Sequence, residues 1–231
     1  MTNLGKYNEG ILSGEFLKLP ATKDEVKGLL TRIGVDGIQY EEVFITDYET
    51  DIDGLTAHLG EYESLDELSY LASLLSKLDK WDLEKFAAAL EYGDYTGSVK
   101  DLINLTQNLD CYDHLSDISC DDDLGRYYAE EVGSIEIPEH LAPYFDYEAY
   151  GRDIALETGG AFTDKGYIAS NGEPFTEYYS DRDDLPEEGR VFCSPDSPEK
   201  MPVARQLEVY GRMAAAQTMV ERSSCSSPER N

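Results

Sequence analysis

Between Ile33 and Ser76 the chain places 11 acidic residues and no lysine or arginine, and between Asp101 and Gly125 it places seven more, again without a base. Any fold it adopts must turn these carboxylates outward, because an unpaired charge is prohibitively costly to bury. The imbalance is confined to residues 1–192, where 43 acids face 14 bases; residues 193–231 hold five of each. A formal charge of −29 far exceeds the magnitude of about 2–8 that keeps a small domain soluble, and repulsion on that scale opposes compaction. The 41% hydrophobic and 11% aromatic content is still enough for a core, so the chain reads as a folded acidic protein rather than an acidic tail. Its surface repels phosphate backbones and anionic membranes and attracts basic partners.

No 18-residue apolar run occurs, and the N-terminal MTNLGKYNEG lacks the hydrophobic centre of a signal peptide. The expectation is a cytoplasmic protein that binds neither membrane nor nucleic acid. Cys111, Cys120, Cys193 and Cys225 are too few and too irregularly spaced for a disulfide scaffold and read as reduced thiols.

The first 50 residues suggest a small α+β unit. Two strands are expected around an Asn8-Glu9-Gly10 turn, and a third in QYEEVFITDYE. Between them a helix starts with a Thr22/Glu25 capping box, carries Val26, Leu29, Leu30 and Ile33 on one side, and stops at Gly34. A second capping box, Ser64/Glu67, opens a run with Leu65, Leu68, Leu71, Leu75 and Leu78 on one face. Asp79 should cap WDLEKFAAALEYG, Ser98 and Asp101 introduce VKDLINLTQNL, and another helix should begin near Asp123, where the helix dipole welcomes three aspartates. Beyond Pro138 a helix is expected around Tyr144 to Tyr150, then two strands joined by Gly159-Gly160. From about Ser170 the text turns polar; SPDSPEKMP and ERSSCSSPERN read as disordered, with a helix possible in PVARQLEVYGRMAAAQTMVER.

Specific chemical motifs fail on inspection. Asp47 to Gly54 resembles the start of an EF-hand loop, but with Gly54 at the sixth position the obligatory twelfth-position glutamate falls on Gly60. Cys111, His114 and Cys120 lack a fourth ligand close by for zinc. His58 and His140 have no nucleophile in a recognised context, and no phosphate-cradling glycine loop is present. Among 48 carboxylates a pair at glycosidase spacing arises by chance and carries no weight. No catalytic residue, metal or cofactor is therefore expected. What remains is the broad anionic surface. Duplex DNA carries about one charge per 1.7 Å, so two copies of a −29 chain match roughly 100 Å of duplex.

The blocks LGKYNEGILSGEFLKLP, EEVFITDYE, LDKWDLEKFAAALEYGDYTGSVKDLINLTQNLDCYD, DLGRYYAEE and IPEHLAPYFDYEAYGRDI, in this order, resemble the ArdA antirestriction proteins over about residues 3 to 170. The resemblance implies an elongated α+β chain of three small domains, here 1–62 (α+β), 63–108 (helical) and 109–170 (α+β), with 171–231 as an irregular extension, first acidic and then neutral. It implies a homodimer joined through the C-terminal domain, encoded on mobile elements, which imitates bent B-form DNA and occupies the DNA channel of type I restriction-modification enzymes without catalysis. The phosphate-mimicking role would fall to Glu41, Glu42, Asp47, Glu49, Asp51, Asp53, Glu61, Glu63, Asp66 and Glu67, and to Asp110, Asp113, Asp117, Asp121, Asp122, Asp123, Glu130 and Glu131. Tyr144, Phe145, Tyr147 and Tyr150 are candidates for the dimer interface or for the core. The alternatives are a DNA mimic aimed at another basic DNA-binding protein, or an acidic calcium-responsive protein.

Overall fold

The computed structural model describes residues 1–193. The segments expected to be disordered, SPDSPEKMP and ERSSCSSPERN, and the helix expected between them lie outside those residues. Helices and two small antiparallel sheets make the fold mixed α and β. The described chain divides into two compact units: residues 1–47 together with 190–193, and Tyr48–Gly189.

In the first unit, β1 (Thr2–Asn3) pairs antiparallel with β2 (Val43–Phe44) in the register Thr2↔Phe44. The hairpin expected around Asn8-Glu9-Gly10 does not form. Asn3 instead caps α1 (Leu4–Asn8) by accepting from the Lys6 amide, and Gly10, at φ +80°, ends that helical turn. Local capping takes residues 4–8 into a helical turn, and the chain beyond it returns to bridge Thr2 at Gly14. Helix α2 (Lys23–Arg32) carries the full Thr22/Glu25 box, with Val26, Leu29, Leu30 and Ile33 buried beneath it. Hydrogen bonds from Thr22 hold the Glu25 carboxyl below its ordinary range. The carbonyl of Ile33, left without a helical partner, accepts from Asn3 Nδ2, Lys6 Nζ and Ser13 Oγ.

The second unit begins with a helical layer of α3 (Leu65–Leu75), α4 (Lys80–Tyr92) and α5 (Val99–Leu105), capped by Ser64, Asp79 and Ser98. Leu71, Phe86, Ala88, Leu102 and Ile103 are all but sealed from solvent. The Ser64 box is only half made: Ser64 accepts a long bond from the Glu67 amide, while the Glu67 side chain serves residues far along the chain. Next come β3 (Tyr112–Leu115), α6 (Asp121–Arg126), continued by one π-helical turn over Tyr127–Glu131, α7 (Tyr147–Thr158), β4 (Ala161–Thr163) and β5 (Gly166–Ser170). The sheet order is β3-β5-β4, with Asp113↔Ala169 and Phe162↔Tyr167 in register. Gly159 does not join two strands as expected; at φ +65° it terminates α7. Leu124, Ile154, Tyr167 and Ala169 form the core between α6, α7 and the sheet.

Helices α6 and α7 meet backbone to backbone. A Cβ on Gly125 would collide with the Tyr147 carbonyl, and one on Gly151 with the Asp121 carbonyl, so only glycine permits this approach. Residues 171–189, expected as a low-order extension, are irregular but anchored: Tyr179 is 2% exposed and Leu185 5%. The chain then re-enters the first unit, where Val191 is buried.

Candidate functional site

The carboxylates singled out from sequence sort cleanly by exposure. Glu41, Glu42, Asp47, Glu49, Asp51, Asp53, Glu61, Asp110, Asp113, Asp117, Glu130 and Glu131 are exposed; Glu63, Asp66, Glu67, Asp121, Asp122 and Asp123 are half-buried; none is buried. The first three belong to the first unit and the others to the second.

The loop before α3 is held closed by a few polar ties. The Tyr48 hydroxyl donates to the Gly60 carbonyl at 2.6 Å, and the Gly60 amide donates to Glu63 at 3.1 Å. Burial, with the Glu63 charge beside it, raises the Tyr48 phenol above its ordinary range. Leu55 is the apolar anchor, and Gly54 at φ +79° makes the reversal. Glu49, Asp51 and Glu61 face solvent along this loop, while Asp53 pairs with Lys165 at 2.6 Å. That pair raises the Lys165 ammonium pKa through the hydrogen bond and charge of Asp53.

In the stretch 110–131, which has six aspartates and two glutamates against one arginine, several charges have internal duties. Strand alternation buries Tyr112 and exposes Asp113. Asp123 reaches back to the Ser119 amide and hydroxyl, and hydrogen bonds from Cys120 and Ser119 hold its carboxyl below the usual range. Arg126 ion-pairs with Asp122 at 2.7 Å and lies 4.3 Å from the centre of the Tyr147 ring. The Tyr147 hydroxyl donates to Glu130 at 2.7 Å, which raises its pKa. Asp110, Asp117 and Glu131 are exposed around this network.

The four aromatic candidates separate. Tyr147, 6% exposed, belongs to the core, and Phe145 packs edge-on against both Tyr147 and Tyr150. The Tyr150 hydroxyl shares a hydrogen bond with Ser134. Tyr144 alone of the four stands out in solvent, 85% exposed, with Leu141 and Leu156 also uncovered.

Cys111 is buried against Asn108, His114 contacts the Lys165 carbonyl, and Cys120 is exposed at the start of α6. Among the described residues no group of three His, Cys, Asp or Glu side chains is placed to hold a metal ion. No helix of the described residues is long and apolar enough to cross a membrane.

Sequence reasoning missed the acids of the segment after β5. Glu173, Glu177, Asp181, Asp183, Asp184, Glu187 and Glu188 are all exposed on an anchored chain. Lys100 pairs with Glu177, whose carboxyl it holds below the ordinary range, and Arg182 pairs with Glu67. The available signal was Asn104 and Asn108, four residues apart at the end of an otherwise apolar helix and in the turn that follows it, together with aromatic residues inside acidic text.

A family model for the antirestriction protein ArdA matches residues 1–169. The chain belongs to the ArdA antirestriction family. The match takes in both nominated carboxylate groups and ends within β5, so the anchored acidic segment lies beyond it. No individual curated protein matches the chain.

Proposed function

We propose that the chain is a stoichiometric, non-catalytic inhibitor that imitates B-form DNA and takes the place of DNA in the channel of a type I restriction-modification enzyme. Family membership supplies the antirestriction role. The observation that supports the mechanism is that none of the 18 nominated carboxylates is buried and 12 are exposed. Set against Lys and Arg of a DNA channel, they stand where phosphates would. Binding releases counterions from both surfaces, as it does for DNA, and a preformed surface avoids the deformation that real DNA must undergo. The inhibitor acts as a homodimer, a reading favoured by the uncovered Tyr144, Leu141 and Leu156.

The test is competition between the purified protein and a labelled duplex bearing the recognition site, for a type I methyltransferase core. Mutually exclusive, salt-sensitive binding of one dimer per enzyme is expected. Simultaneous binding of duplex and inhibitor would exclude mimicry. Displacement of DNA only from some other basic DNA-binding protein would redirect the same mechanism to that target.

A further inference from the structure

The segment 171–189 is held in a way that differs from everything around it. It leaves β5 through Asn171 and Gly172, the latter at φ +83°, and up to Asp181 it has no helix or strand of its own. Its backbone is met by two side chains of the helical layer. The Asn104 Oδ1 accepts from the Tyr178 and Tyr179 amides at 2.8 and 2.9 Å, while its Nδ2 donates to the Tyr179 carbonyl at 2.8 Å. The Asn108 Oδ1 accepts from the Thr176 amide at 2.8 Å, and its Nδ2 donates to the Thr176 carbonyl at 2.9 Å. A carboxamide presents donor and acceptor side by side, so it matches the N–H and C=O of one residue whatever its side chain. Each asparagine also donates four residues back, Asn104 to the Lys100 carbonyl and Asn108 to the Asn104 carbonyl, which orients both amides toward the segment.

Two aromatic seats flank this pair. Phe175 stacks on Tyr95 at 3.6 Å between ring centres and 6° between planes; Tyr95 is the one non-glycine with positive φ among the described residues, at +55°. Tyr179 drops beside Tyr70, with its hydroxyl donating to Glu67 at 2.9 Å. Burial, then the Glu67 charge, raises that phenol well above its ordinary range. Both asparagines are 2% exposed. The docked segment thus shields both carboxamides from water and supplies main-chain partners for their oxygens.

We propose that the face formed by Asn104 of α5 and Asn108 of the turn that follows it is a peptide-binding groove whose occupant is this chain's own segment 173–185, docked in cis as an extended peptide with aromatic anchors at Phe175 and Tyr179. Main-chain bonds supply the grip and the two ring seats supply the register, the division of labour found in extended-peptide recognition. The groove does not depend on the identity of the inhibited enzyme.

Residue-resolved amide hydrogen exchange on the full chain tests this. Asn108→Ala should speed exchange at Thr176, and Asn104→Ala at Tyr178 and Tyr179, by about tenfold or more, with α4 and β5 amides at their wild-type rates. Unchanged rates at these three amides would overturn the proposal. Loss of protection in the segment, α4 and β5 together would overturn it as well, because the segment would then be part of one cooperative core. Tyr179→Ala leaves α5 itself intact and should release the same three amides in step; their continued protection would equally refute the docking.

Discussion

Residues 110–131 and 171–189 carry nearly the same burden, eight acids against one arginine and seven against one, yet they become ordered by opposite routes. The first builds its own strand and helix and supplies its own core residues, Tyr112, Leu124 and Ala129. The second forms no strand and only two short 3-10 turns, and borrows order from asparagines about 70 positions earlier. Acid density therefore does not decide whether a segment is ordered. A few apolar anchors and satisfied main-chain groups do, and the carboxylates go to whatever surface is left.

The comparison breaks most sharply at glycine. Gly151→Leu forces a side chain against the Asp121 backbone, which cannot step aside, so denaturant melts should show more than about 4 kcal/mol of destabilisation or no folded protein at all. Gly172 of the borrowed segment has open space around it, and Gly172→Ala should cost only the left-handed penalty of about 1–2 kcal/mol. If both changes cost the same, the distinction between the two regions fails. Next in size is Tyr179→Ala, which removes a buried ring. It is expected to show as local release of the segment amides, with the denaturant melt of the remaining core shifted far less than the roughly 3–5 kcal/mol of a core aromatic truncation.

Charge neutralisation sharpens the comparison differently. Converting exposed Asp110, Asp113 and Asp117 to Asn together should raise the thermal midpoint by relieving repulsion, yet weaken binding to the enzyme; one such change alone should be barely detectable in either assay. The smallest effect is expected at Asp123. Its pKa is lowered in the folded chain, so its contribution is complete above the ordinary carboxylate range and is lost as pH falls through the lowered value. Asp123→Asn should therefore lower stability slightly at neutral pH and converge with wild type in acid; a constant offset across the whole pH range would contradict the assignment.

Helices announced themselves where caps and periodicity agreed. Thr22 with Glu25, Asp79, and Ser98 each stand where their helices begin. Strands were less legible: β2 falls within QYEEVFITDYE, where a strand was expected, but its partner β1, two residues long and 40 positions away, is too short for any alternation to register. The acidic tract hid β3 because its alternation, Tyr112 inward and Asp113 outward, spans only four residues. That the nominated carboxylates stay unburied was legible from charge runs, but their individual contacts were not. That Glu67 would serve Tyr179 and Arg182, or Glu130 the Tyr147 hydroxyl, depends on contacts 112, 115 and 17 residues away. The distant asparagine contacts were hidden for the same reason, and so the segment they anchor read as a tail.

The glycine contact between α6 and α7 has a metrological consequence. With no side chain between the two backbones, there is little packing slack to be taken up or released, so the charges on α6 are expected to keep their pitch when ions come and go. A phosphate imitation whose spacing drifted with salt would mismeasure DNA under most conditions. In the proposed mimicry this pair would serve as a fixed gauge, and a salt slope measured in binding would then report counterions rather than a change in the ruler itself.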